Sequence, residues 1–344
     1  MLLARELRLK QIPQPRANDW AGSEVQGPAI GSSVAPCAFK APRYGNHATT
    51  RIRYVLRMRG IVLTLVWMVV AAATGGSAWA LERLAAESVM RYPAPLAQQA
   101  VAVGANAFFA VNDTGMARHA RRGGRELARW QSVGRAGVAH LNSCVITRER
   151  ELLCANSNFP DLPMAGSLEW FDPATLAPVR SRSLGATDGS LAWVDELASG
   201  WLAGFAHYDG EGGQPGKDHR YTRIVQFDPY WVPVQAWLLP DSVLERLRPD
   251  STSGGTIGAD GLLYVTGHDR GEVYALARPS QGATLVHVAT IALEIAARSI
   301  AWDRFTSDRI LWTIDPAGPE VRTFRVPRIV MPAGLTGFDS ARMD

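Results

Sequence analysis

A pair of short apolar strands recurs five times along this chain, each pair joined by a polar turn and ending in a small polar cluster. The copies are residues 99–113 (QAVAVGANAFFAVND), 142–158 (NSCVITRERELLCANSN), 190–209 (SLAWVDELASGWLAGFAHYD), 255–269 (GTIGADGLLYVTGHD) and 299–315 (SIAWDRFTSDRILWTID). A unit of this kind buries its apolar faces only against its neighbours, so its repetition predicts a β-propeller. Equivalent points near Val101, Cys144, Leu191, Thr256 and Ile300 lie 43, 47, 65 and 44 residues apart. Four short strands with tight turns fill the shorter periods. The long third interval carries an insertion, 209–220 (DGEGGQPGKDHR). Ala192-Trp193 aligns with Ala301-Trp302, which leaves Trp201 and Trp312 two positions apart, on one face of a strand.

Third and fourth strands follow most pairs: 167–171 and 178–184, 223–227 and 233–239, 272–276 and 285–291. The first two sets share a Phe-Asp-Pro turn, Phe171-Asp172-Pro173 and Phe227-Asp228-Pro229, in which proline fixes φ for the bend. The fifth unit has 320–324 (EVRTF) and no outer strand of its own. Residues 87–92 (ESVMRY) are expected to supply it, closing the ring with the two ends of the chain. The expected fold is therefore an all-β propeller over 81–330, with five four-stranded blades and a C-terminal tail at 331–344. A ring of six or seven blades is the alternative. The regular spacing argues against a β-sandwich or an open meander.

The repeats begin only after residue 80. Arg51, Arg53, Arg57 and Arg59 precede a 13-residue apolar run, 61–73, which is followed by Ala78-Trp79-Ala80. That order describes a secretory signal peptide over 58–80, cleaved after Ala80. The competing reading is an uncleaved anchor, for which 13 residues are short of the roughly 20 that span a bilayer. Met58 followed by Arg59-Gly60 reads as a natural start, and 1–57 as a mis-assigned or disordered leader. Residues 1–80 hold 10 of the 36 basic and 3 of the 32 acidic residues, which leaves 26 basic against 29 acidic afterwards, a net −3 with His neutral. The basic balance of the whole chain thus belongs to the targeting segment. It implies no nucleic-acid partner, and no membrane span is expected after cleavage. The expectation is an exported monomer, periplasmic or secreted.

Cys144 and Cys154 stand on the two strands of the second pair, equidistant from the turn centre at Glu149. Opposed positions of an antiparallel pair come within disulfide reach, and export supplies the oxidising compartment. A disulfide is expected; two buried thiols packed as small apolar residues are the alternative.

In a propeller the loops leaving the second strands and those leading into the first strands share one face. Here they bring Asn112, Asp113, Asn156, Ser157, Asn158, His207, Tyr208, Asp209, His268, Asp269 and Asp315 beside His140, Asn142, Ser190, Ser253, Arg298 and Ser299. Three chemistries suit such a set. A divalent cation such as calcium would take Asn156, Asn158, Asp209 and Asp269, with His207 or His268 added for a softer ion. Acid–base catalysis would use His207 or His268 with a carboxylate, Asp269 among them, orienting the ring. Asx and His side chains also close loops by bonding backbone. His140, Asn142, Asn156, Asn158, Asp209 and Ser253 are the expected ligand-binding positions. The insertion 209–220 is either a lid or a tolerated surface loop. The chain carries no HExxH, Walker loop, GxSxG or CxxCH motif.

The stretches SCVIT…LLCANSNFP (143–160), 189–210 and SGGTIGADGLLYVTGHDRGEVYAL (253–276) resemble a group of exported bacterial propeller proteins. Some of these carry the label cycloisomerase through similarity to muconate-cyclase-type propellers. The run Gly258 to Thr266 is also similar to calcium-dependent lactonase propellers of the gluconolactonase kind. Those use an acidic ligand near the start of the first blade, where this chain has Gln98 and Gln99. The resemblance implies an isomerase or lactonase acting on a small acid or lactone. The competing function is a non-catalytic propeller that binds a small molecule, glycan or protein on the same face. Acid–base catalysis requires a histidine and a carboxylate in contact, and binding does not.

Overall fold

The computed structural model describes residues 81–133 and 138–341. The expected leader at 1–57, the expected signal peptide at 58–80 and Cys37 lie outside the described residues. Among the described residues no helix is long and apolar enough to cross a membrane.

Five antiparallel meanders make five blades. The first comprises Ala100–Val103, Ala107–Val111, Gly115–Ala120 and Glu126–Gln131. The second comprises His140–Ile146, Leu152–Ser157, Ala165–Phe171 and Pro178–Ala186. The third comprises Ser190–Leu197, Gly200–Ala206, Arg223–Phe227 and Pro233–Leu238. The fourth has Gly254–Ile257, Leu263–Thr266, Glu272–Ala277 and Val286–Ala292. The fifth has Ile300–Trp302, Ile310–Asp315 and Glu320–Arg325, completed by Glu87–Pro93 from the other end of the chain. Innermost strands of consecutive blades touch all the way round, the fifth against the first, so the ring closes at five.

Sequence and position in the blade agree. An innermost strand is covered by both neighbouring blades, so it is apolar on both faces: Ala100–Val103 and Ile300–Trp302 are buried throughout. The outer strand Pro178–Ala186 (PVRSRSLGA) borders water and is exposed almost end to end. Five apolar cores fill the gaps between blades. Phe108 and Trp312 join the first and fifth, Phe109 and Leu152 the first and second, and Leu168 and Phe205 the second and third. Trp193 and Tyr274 join the third and fourth, Tyr264 and Trp302 the fourth and fifth. Full burial of one such side chain contributes about 1.5–3 kcal/mol.

Trp193 shows how closely the blades approach. It is fully buried, and its Nε1 donates to Thr252 Oγ1 at 3.0 Å. A Cβ at Gly204 or Gly255 would fall 2.2 or 2.4 Å from the indole. Glycine at these two positions lets the backbone of the third and fourth blades lie against the ring. Cys144 and Cys154 pair across their strands and form the expected disulfide, with Cα atoms 4.0 Å apart.

Three features were not legible. Glu82–Ala85 adds a parallel fifth strand to the outer edge of the fourth blade, so the N-terminal segment ties the fourth blade to the fifth before reaching the first. The long third interval holds a helix, α1 (Asp241–Leu247), besides the insertion; its Val243, Leu244 and Leu247 enter the core between the third and fourth blades. The segment expected as a tail seats Phe338 edge-on against Trp237, with ring centroids 5.5 Å apart, and bridges to Leu197 and Arg278.

Candidate functional site

Strand register defines a polar mouth. His140 lies opposite Ser157, Ser190 opposite Ala206, Gly254 opposite Thr266 and Ile300 opposite Thr313, so these ends share one side of the ring.

The first and second blades join there through Asp113 and His140. His140 Nδ1 lies 2.7 Å from Asp113 Oδ1, and Gln99 Nε2 donates to the same oxygen at 2.8 Å. The Leu141 amide donates to the Asp113 carbonyl, which holds the carboxylate segment against the second blade. Asn156 Oδ1 accepts from the Ala139 and His140 amides at 3.1 and 3.0 Å and so fixes the backbone that carries the imidazole. The hydrogen bond from His140 holds the Asp113 carboxyl below the usual carboxylate range, against the opposing effect of burial. With Nδ1–H committed to an ionised carboxylate, the other nitrogen of neutral His140 is the basic one. That Nε2 hydrogen-bonds no described residue.

An aromatic wall continues from His140. Phe159 lies 5.5 Å from the imidazole, centroid to centroid, and Tyr208 meets Phe159 edge-on at 5.2 Å. Burial pushes the Tyr208 phenol up to about 12, against the opposing effect of Ser190, so it stays un-ionised and remains a hydrogen-bond donor. Asn142 ties the second and third blades, donating to Ser157 Oγ and the Leu191 carbonyl.

The insertion closes over this wall. Gly212 is stacked so closely on Phe159 that a Cβ there would fall 2.2 Å from the ring. The base of the insertion is tied by Asp209, which accepts from the His219 amide at 3.0 Å and meets His219 Nδ1 at 2.6 Å. Burial opposes ionisation of Asp209, but these two hydrogen bonds outweigh it and lower its pKa. Arg220 holds the Asp218 carboxyl down at about 2. Lys217 pairs with Asp188 of the loop before the third blade.

His268, half-buried on the fourth blade, completes the mouth with Asp250, Arg298 and Ser299. Burial lowers the His268 pKa; the charge of Asp250 opposes this and that of Arg298 adds to it. Arg298 also acts electrostatically on Asp113, so one guanidinium lies within reach of both histidine systems. Buried polar atoms without a hydrogen-bond partner among the described residues collect here: His268 Nδ1, Arg298 Nε and Ser299 Oγ. Such groups are rare in folded proteins and mark places where a ligand or water completes the bonding.

The expected site residues are thus distributed over several roles. His207 is fully buried, its amide donating to Thr222 Oγ1, and burial lowers its pKa; Nε2 lies 3.3 Å from Asp188 Oδ1. His207 and His268 therefore face different carboxylates, Asp188 and Asp250. Asn156 and Asn158 close loops: Asn158 bridges the Pro163 carbonyl and the Ala165 amide. Asp269 is exposed, and Ser253 pairs through its amide with the Thr266 carbonyl. Among the described residues the cluster of His and carboxylate side chains with ligand atoms within 4.8 Å is Asp209, Asp218 and His219, at the base of the insertion. Phe159 and Asp250 escaped the sequence reading. Gln99 and Asp113 were named as the two ends of the first repeat, with Asp113 on the polar face, but their hydrogen bond to each other was not foreseen.

No family model and no curated protein matches this chain. Among solved structures it is similar to glutaminyl cyclase from Myxococcus xanthus, with 12% identity, 73% of this chain and 100% of that one covered, and a TM-score of 0.48. It is similar to regucalcin, a calcium-binding protein from Agrobacterium tumefaciens, with 13% identity, coverage of 71% and 77%, and a TM-score of 0.41. A luciferin-regenerating enzyme shares 13% identity, with coverage of 70% and 78% and a TM-score of 0.40. The cycloisomerase label rests on the sequence resemblance alone.

Proposed function

We propose that this is an exported propeller enzyme that acts on a small organic acid or its lactone at the polar mouth. The observation that carries the reading is the His140–Asp113 pair, held by Gln99 and leaving Nε2 without a partner among the described residues. In a lactone hydrolysis, Nε2 takes a proton from water as the water oxygen attacks the carbonyl carbon. The ring C–O bond then breaks, and the imidazolium returns the proton to the departing alkoxide. Asp113 stabilises the imidazolium, Arg298 holds the carboxylate product, and un-ionised Tyr208 donates a hydrogen bond. The test is proton release from dihydrocoumarin and γ-valerolactone by the purified protein and its His140→Ala variant. Hydrolysis that depends on His140 is expected. Rates unchanged in the variant, or no turnover of either lactone, overturn the reading.

The Phe159–Tyr208 wall under the insertion favours a second reading, a non-catalytic module that binds a ring-shaped ligand such as a glycan unit. Saturable binding without turnover, lost in Phe159→Ala, would select it.

A further inference from the structure

On the opposite side of the ring, where the first and second strands turn, a cavity of about 310 Å³ opens between the first and second blades. Phe109, Ile146 and Phe305 are among its apolar walls; Arg118, Arg148 and Arg150 also line it, and no carboxylate does. The Arg148 guanidinium is engaged by Glu196, with Nε 3.0 Å from Oε1, and by the Leu197 carbonyl. The guanidinium of half-buried Arg118 hydrogen-bonds no described residue. The carboxylate that senses its charge, Asp172, has Oδ1 taken by the Ala174 and Thr175 amides and the Thr175 hydroxyl.

A second, independent observation lies at the inner end. Ile146 and Phe305 also border a narrow void of about 20 Å³ on the ring axis, lined by Arg304. The Arg304 side chain is only 6% exposed; its Nη2 binds Asp195 Oδ1 at 2.7 Å and its Nη1 is buried without a partner. The half-buried Arg118 guanidinium makes no hydrogen bond to a carboxylate, and its planar fork suits one. The volume is at the lower end for small-molecule sites, and the apolar walls call for a hydrophobic body.

We propose that this cavity is a second ligand site, distinct from the mouth, which takes a small monocarboxylate with one aromatic ring, its carboxylate on Arg118. Calorimetric titration of the full-length protein with 4-phenylbutyrate and with the uncharged 4-phenylbutyramide tests it. The acid is expected to bind at least tenfold more tightly than the amide. Arg118→Gln should lose at least tenfold in affinity for the acid, with Arg118→Lys between. Ala105→Trp, which fills the cavity from its exposed rim, should abolish binding even if Arg118→Gln fails to fold. His140→Ala at the mouth should leave the affinity unchanged. Equal binding of acid and amide, no binding of the acid, an unaffected Ala105→Trp, or a loss in His140→Ala alone overturns the proposal.

Discussion

Nδ1 of His140 on the second blade lies 2.7 Å from Oδ1 of Asp113 on the first, so a boundary between two blades carries a histidine–carboxylate contact at the mouth whose Nε2 hydrogen-bonds no described residue. His207, although it also faces a carboxylate, is fully buried.

Asp113→Asn keeps an oxygen for His140 to donate to but removes the charge that stabilises the imidazolium. For the lactone reaction, kcat is expected to fall by about 10²–10⁴-fold, the usual contribution of general acid–base catalysis. KM should stay within about threefold of the parent, because the ligand-binding groups are retained. Steady-state kinetics of the two proteins checks this; a rise in KM with kcat intact would assign Asp113 to binding.

Gly204→Ala forces a methyl group to within 2.2 Å of the Trp193 indole, which cannot move because it is fully buried between two blades. A loss of about 1–3 kcal/mol or more is expected from overpacking. Urea unfolding should show a lower midpoint. Gly210→Ala, where nothing lies within 4 Å of the added atom, should leave the midpoint in place.

The bond between Cys144 and Cys154 closes a loop with a sequence separation of 10. In the chain-entropy account a loop of that size contributes about 2–3 kcal/mol. The Cys144→Ala/Cys154→Ala variant should be less stable by that amount. Adding reductant should bring the parent to the same midpoint and leave the variant where it is. Thiol titration of the unfolded, unreduced protein should detect neither cysteine.

His287 couples stability to pH. Burial lowers its pKa to about 4; its Nε2–H donates to the Ala289 carbonyl at 3.1 Å, and Nδ1 lies 3.0 Å from Ser242 Oγ. The unfolded side chain titrates near 6.5 and therefore binds more protons than the folded one between about pH 4 and 6.5. Its contribution to stability is full above that window and is lost as pH falls through it. After allowance for solvent screening, the loss is about 1–2 kcal/mol. His287→Gln should flatten the stability profile between pH 6.5 and 4, as measured by urea midpoints at each pH.

The blade plan was legible because alternation of apolar residues along a strand is a local property. Five repeated pairs, the Phe-Asp-Pro turns and the unpaired fifth blade together predicted the ring and its closure by 87–92, which the register with Glu320–Arg325 bears out. The disulfide was legible for the same reason, since two positions equidistant from a hairpin turn must face each other. Glu82–Ala85 was not, because an exposed four-residue strand (ERLA) carries no periodic signal and is held by the edge it meets.

The site divides along the same line. The chain alone determined which side of the ring gathers His, Asn and Asp, because those residues stand at strand ends. Only the tertiary structure decided what each one touches. Asn156 and Asn158 bond loop backbone and Asp209 anchors the insertion, while His140 meets a carboxylate from another blade. The cavity lined by Arg118 was invisible in sequence, since its walls come from the first, second and fifth blades. Strand period depends on neighbours a few residues away. Hydrogen-bond partners and cavities depend on how the blades pack round the ring, where residues 49 or 109 positions apart in the chain come into contact.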